Sequence, residues 1–250
     1  MTSTPRDYSV FAEFKFERKP VGVKFLLLKP EGIKRLDKSL FFCEMFKEAQ
    51  GGDPFYVGKE DWQCVERLLL GMEDPEPMLV SGFFGEKVGL FKEARANRKI
   101  YQYLPKMLKG SVNYVAFSPI DQLPFDPDVL VVTASPSQAQ MILRALGYSS
   151  GEMYSSRGTP VAACSWLYIY PVISGELNYT VTGFSTGMKA LQVLPEGLVL
   201  ISIPWNKLPM IMENLRDLNM GAAPRIPSRD EHVERVHRLF DEFRQEISKR

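Results

Sequence analysis

Apolar runs and prolines alternate in the same way at two places along the chain. From Pro127 the sequence reads PDVLVVTASPSQAQMILRAL, and from Pro195 it reads PEGLVLISIPWNKLPMIMEN. Each stretch opens with proline and an acid, then passes through a short β-branched run without polar alternation. Each meets a second proline at the same offset, Pro136 and Pro204. Such runs predict strands buried on both faces, over about 128–134 and 197–203. The second proline suits the first position of a helix, where its missing N–H costs nothing. Ser135 and Gln138 add the spacing of a capping box, and Gly147 fits a helix end. PVGVKFLLLKPEGIKRL, from Pro20, is a looser third copy with a strand over about 21–28 and Pro30 after it. Shared strand-loop-helix grammar explains this similarity more simply than duplication does, because residues match in type more than in identity.

Other elements follow from weaker patterns. Residues 38–50 predict a helix ending at Gly51-Gly52. DWQCVERLLL predicts a second, capped by Asp61, and a basic stretch over 92–109 a third. NYVAFSP and LNYTVTG read as strands, and GTPVAACSWLYIYPVIS as a buried helix or hairpin. After the Gly/Pro-rich NMGAAPRIPS, Ser228 and Glu231 have capping-box spacing, and a helix should run to Arg250. Its residues Val233, Val236, Phe240, Phe243 and Ile247 form one apolar seam. The fold class expected is α+β or α/β, a mixed sheet of repeated strand-Pro-helix units with a long C-terminal amphipathic helix. Residues 1–220 should form one globular α/β-type domain, with two similar halves as the alternative. Residues 221–250 should form a Pro/Gly linker and the helix.

Charge narrows the partners. With 31 basic and 30 acidic side chains the net charge is +1, so no long-range field favours nucleic acid or an anionic membrane. Lys87, Lys92, Arg95, Arg98 and Lys99 read as a solvated basic face rather than a nucleic-acid surface. No apolar run reaches the roughly 18 residues of a membrane helix, and no signal peptide is visible at the start. Three cysteines are no secreted disulfide framework, so a cytoplasmic location is expected.

Candidate chemistry is sparse. Gly183-Phe184-Ser185-Thr186-Gly187 matches the G-x-S-x-G pattern of a nucleophile elbow. The two histidines, His232 and His237, both lie on the charged C-terminal helix, and no HGGG-type oxyanion element precedes Ser185. A turn is therefore the better reading, and Ser185 is not expected to be a nucleophile. His232 and His237 are about 140° apart around a helix, so they do not form a metal pair. Phosphate-binding glycine motifs are absent. What remains is Cys43, Cys64 and Cys164, each in an apolar setting where buried thiol packing alone would account for it.

Taken in order, KPVGVKFLL, LFFCEMFKEAQGG, DWQCVERLLLGM, FDPDVLVVTASPSQAQMILRALGY and GELNYTVTGFSTGMKAL resemble the domain-of-unknown-function 169 family, from about Pro20 to Leu218. That family is largely uncharacterised, so the resemblance implies architecture more than activity. It implies cysteine at Cys43, Cys64 and Cys164. A Cys-Gly-Arg pattern would fall near TGFSTGMK, where this chain has Phe184 and Lys189, which argues against four thiolates. Three converging thiolates could hold zinc or three irons of an iron–sulfur cluster and leave one position open. The alternatives are a metal-free ligand pocket lined by Trp62, Trp166 and Tyr168, or an interaction protein that dimerises through its C-terminal helix. No reaction is legible.

Overall fold

The computed structural model describes residues 7–182, 186–218 and 228–248. Seven strands form one sheet: β1 Val21–Leu26, β2 Lys34–Arg35, β3 Phe55–Gly58, β4 Tyr114–Pro119, β5 Val129–Ala134, β6 Asn178–Val181 and β7 Val199–Pro204. Their spatial order is β2-β3-β4-β1-β5-β7-β6. Only β2 and β3 run parallel; the other neighbours are antiparallel, so the sheet is mixed. The architecture is α+β. The helices are α1 Phe42–Gly51, α2 Glu66–Leu69, α3 Pro77–Val80, α4 Phe83–Lys87, α5 Ala94–Tyr103, α6 Pro136–Tyr148, α7 Tyr170–Ser174, α8 Thr186–Ala190, α9 Leu208–Asp217 and α10 Arg229–Ile247.

The unbroken apolar character of β5 and β7 has a direct cause. All six residues of β5 are buried, as are five of the six in β7. The pairing Val131↔Ser202 puts Val129, Val131 and Leu200 on one face, with Leu130, Val132, Ile201 and Ile203 on the other. The first face meets the buried segment Ser165–Ile169 and shares one core with α1, which packs on β4 and β1; the second is covered by α6, on which α9 packs. A strand covered on both sides has no use for polar alternation.

The two sequence-similar units thus lie side by side, but their prolines differ in role. Pro136 opens α6 behind the Ser135 cap, whose hydroxyl accepts the Gln138 N–H. Pro204 instead ends β7, and α9 starts at Leu208 with Pro209 in its first turn. Trp205, Asn206 and Lys207 form a turn between them, closed by the Lys207 N–H on the Pro204 carbonyl. Gly147 does not cap α6 either. It lies inside the last turn, where a Cβ would come within 2.8 Å of the Glu152 carbonyl, so close chain approach explains it. The third copy has no helix: after β1 and Pro30 the chain bends at Gly32 (φ +72°) into β2.

Three expected helices are shorter than their patterns. α1 starts at Phe42 because Leu40 is held extended in a bridge to Trp62. The same bridge keeps residues before Cys64 out of α2, and Asp61 is no cap. It instead accepts the Gly58 N–H at 2.7 Å and pairs with Arg35 at 2.9 Å. α5 stops at Tyr103, because the residue before Pro105 is pushed out of helical geometry. The Ser165–Ile169 segment is a π-helical turn continuing into α7. No helix among the described residues is long and apolar enough to cross a membrane.

The chain divides into two compact units, Met1–Leu218 and Asn219–Arg250. The described part of the second is α10, capped reciprocally by Ser228 and Glu231. The first holds its core around Phe42, whose ring lies 4.4 Å from Tyr168, 4.7 Å from Trp62 and 5.5 Å from Phe117. Phe42 is fully buried, and its removal leaves a cavity between α1 and the sheet. Phe42→Ala should therefore cost about 3–5 kcal/mol of unfolding free energy, read as a lowered urea midpoint with an unchanged slope.

Candidate functional site

A cavity of about 400 Å³ opens beside α1. Its walls come from α1 and the residue before it, the Gln63–Glu66 turn, α3 to α5, the Val161–Cys164 segment and α8. Most of the lining is apolar, with Phe42, Leu79, Phe84, Leu90, Met188 and Leu191 the larger side chains. No lysine, arginine or histidine takes part.

All three thiols face this cavity. Cys43 is the second residue of α1, Cys64 lies in the turn before α2, and Cys164 directly precedes the π-helical turn. The Phe42 N–H donates to Cys64 Sγ at 3.3 Å, and the Cys43 and Cys164 thiols lie close enough for each to act on the other's ionisation. The two cysteines closest in sequence meet through the Leu40–Trp62 bridge, which draws the start of α1 against the segment carrying Cys64. Cys164 arrives by tertiary folding, on a segment packed over β5 and β7. All three are free thiols, and among the described residues no three His, Cys, Asp or Glu side chains form a ready-made metal shell.

A carboxyl joins them that the residue patterns did not single out. Glu66, the first residue of α2, is 7% exposed and lies beside the Cys64 thiol, each acting on the other's ionisation. Burial pushes its pKa up. Burial, and then the neighbouring Glu66, push the Cys64 thiol well above its ordinary range. The contact with Cys43, followed by burial, does the same for Cys164. Reactive cysteines need a nearby cation or helix N-terminus to hold the thiolate. At Cys64 and Cys164 burial and the neighbouring Glu66 or Cys43 outweigh the helix starts beside them, and at neutral pH they are thiols.

The wall opposite is built from α4 and α5. Asn97 is 2% exposed; its Nδ2 donates to the Gly82 carbonyl at 3.2 Å, while its Oδ1 has no hydrogen-bond partner. Two glycines permit this close approach. A Cβ on Gly85 would lie 2.2 Å from Asn97 Nδ2, and one on Gly82 would lie 2.0 Å from the Ala94 carbonyl oxygen. Gly82 also sits at φ +87°, where side chains are strained. The signal for this wall was present in the sequence: Ala94, Asn97 and Tyr101 recur at helical spacing within a run that otherwise reads only as basic. Glu66 offered less, because one acid before LLL resembles any solvated helix residue.

The aromatic side chains expected to line a pocket lie elsewhere. Trp62, Trp166 and Tyr168 are 5%, 9% and 0% exposed and belong to the core. Trp62 and Tyr168 pack against Phe42, one layer behind the cavity, while Trp166 Nε1 donates to Thr159 Oγ1 at 2.9 Å. The rings at the cavity itself are Phe41, Phe42, Phe84 and Tyr101. Ser185 lies outside the described residues; β6 precedes it, and α8, whose Thr186 and Gly187 line the cavity, follows.

Raised thiol pKa values have a kinetic consequence. At neutral pH, iodoacetamide should alkylate Cys64 and Cys164 in the native protein more slowly than in the unfolded chain by roughly an order of magnitude or more. Mass spectrometry of timed samples, with and without guanidinium, checks this; equal rates would mean that the thiols are accessible and ionised.

The fold and cavity can be set beside known proteins. The chain is 24% identical over 188 residues to an uncharacterised protein, MJ0308, of Methanocaldococcus jannaschii, covering 74% of this chain and 79% of the relative. No solved structure matches at a significant level. The model of DUF169, a family described as uncharacterised ArCR, matches residues 12–214. That span takes in all of the sheet and every wall of the cavity, and the chain belongs to the DUF169 family.

Proposed function

We propose that the protein binds a small molecule with an apolar body in the thiol-bearing cavity. One observation carries this reading: a largely apolar space of about 400 Å³ lined by three thiols, a buried carboxyl and the buried amide of Asn97. That volume suits a compact ligand, and few convergent polar groups on an apolar wall are the usual makeup of a ligand site. Free thiols without a disulfide framework fit a reducing compartment such as the cytoplasm.

The test uses a neutral fluorescent probe, N-phenyl-1-naphthylamine. Saturable binding is expected near one probe per chain, weakened by about tenfold or more in Ala190→Trp, which fills the α8 side of the cavity. An absence of saturable binding, or the same affinity in the variant, would overturn the reading.

A second reading is favoured by the convergence of the chain's only thiols. In it, Cys43, Cys64 and Cys164 hold zinc or an iron–sulfur cluster, and the ion displaces the thiol protons as it binds. In this reading the three sulfurs close into a coordination shell only when the metal binds. After anaerobic purification, this reading expects about one metal site per chain, lost in Cys164→Ala, and a thiolate-to-cobalt charge-transfer band on Co²⁺ addition. If no metal copurifies and no band appears, the thiols are cavity wall.

A further inference from the structure

The polar side chains of the cavity include an acid but no base: beside the three thiols they are Glu66, Gln63, Asn97, Tyr101 and Thr186. Glu66 is buried, with the Cys64 thiol and its own backbone beside it. No lysine, arginine or histidine stands in the lining to balance it. Asn97 has spent its Nδ2 on the Gly82 carbonyl, which leaves Oδ1 as a buried acceptor without a donor. Tyr101, one turn beyond Asn97 on α5, lies near enough to Glu66 to feel its charge, so the α5 wall and the α2 carboxyl border one region. The remaining polar atoms there include three sulfurs, which donate weakly and are the natural partners of soft cations.

A buried carboxyl ionises readily only when a positive charge comes with it, and an unpartnered acceptor is costly until a donor arrives. Among the described residues, no cationic side chain lines the cavity, and Arg67 beside it is turned to the Trp62 and Cys64 carbonyls and to Glu73. An anionic head would find no cation to hold it here, and it would face Glu66 directly. An uncharged apolar molecule would leave both groups as they are.

We infer that the ligand of this cavity carries a positive charge, placed against Glu66, while its remainder lies on the apolar wall. The inference rests on the reading of the cavity as a ligand site. Two sources share this chemistry, an organic ammonium group and a metal cation. In the second case the thiols join Glu66 as ligands; in the first they are contact surface.

Calorimetric titration of the full chain separates these cases with four probes: 2-phenylethylammonium, the neutral 2-phenylethanol, the anion 3-phenylpropanoate, and Zn²⁺ alone. At least one of the two cations should bind, and 2-phenylethylammonium, if it is that one, should bind more tightly than the alcohol or the anion. Glu66→Gln, which keeps the shape and removes the charge, should weaken the bound cation by about tenfold or more. Unchanged binding of N-phenyl-1-naphthylamine by the variant confirms that its cavity is intact. Cys64→Ala and Cys164→Ala should abolish Zn²⁺ binding and spare the ammonium, which tells the sources apart. The inference falls if neither cation binds, or if the alcohol or anion binds as tightly as the ammonium while Zn²⁺ does not bind. It also falls if Glu66→Gln leaves the cation's affinity unchanged. In each of these cases saturable binding of the neutral probe would still uphold the cavity as a ligand site, so the two failures are distinguishable.

Discussion

The antiparallel pairing of β5 with β7 is the constraint from which the rest of the first unit follows. Both strands are apolar on both faces, so neither face can be left to water, and each must be covered by a separate layer. α6 covers one side and α9 packs on it, each following its own strand directly. No helix adjacent in sequence is left for the other side. The π-helical segment after Cys164 must cross over to it and meet α1, which packs on β4 and β1. Where they meet, Phe42 packs against Tyr168, and the thiols of Cys43 and Cys164 come together just outside that contact. The site is a by-product of covering the second face.

Its chemistry is set by what is missing around it. A thiol or carboxyl near a basic side chain is ionised and reactive, whereas one buried among apolar groups keeps its proton. Burial raises the pKa values of Glu66 and Cys64, and that of Cys164 together with its contact with Cys43. The Tyr168 hydroxyl and the Trp62 indole N–H, both buried without a partner among the described residues, extend that environment into the core behind Phe42. Such surroundings disfavour a thiolate at Cys64 and Cys164 and fit the proposed reading, in which a guest brings the missing charge.

The sequence carried the sheet better than it carried the site. β5 and β7 were legible because two-sided burial leaves an unmistakable run, and α10 because its cap and its seam are both local. Pro204 misled because the same residue can open a helix or end a strand, and only the three-residue turn after it decides which. Asp61 misled for a related reason: its bonds to Gly58 and Arg35 depend on β2 lying beside β3, a pairing no local pattern announces. For the site, the cysteines were visible as residues, but their meeting was not, since Cys164 is placed by packing on distant strands. Glu66 and Asn97 were hidden by their company, one before a leucine run and the other inside a basic helix. Large aromatic residues drew attention that belonged to smaller neighbours, because Trp62, Trp166 and Tyr168 serve the core.

The glycines of the cavity divide its walls into one that is fixed and one that is free. At Gly82 and Gly85 even a methyl group collides with the backbone of α5 or with Asn97, so the spacing of α4 and α5 admits no variation by substitution. Gly187 on α8 is different: a Cβ there meets nothing within 4 Å. Related chains that share this architecture can therefore remodel the volume from the α8 side while the acceptor-bearing wall stays rigid. The shape of what fits and the charge of what is recognised are thus adjustable independently, by residues more than eighty positions apart in the chain.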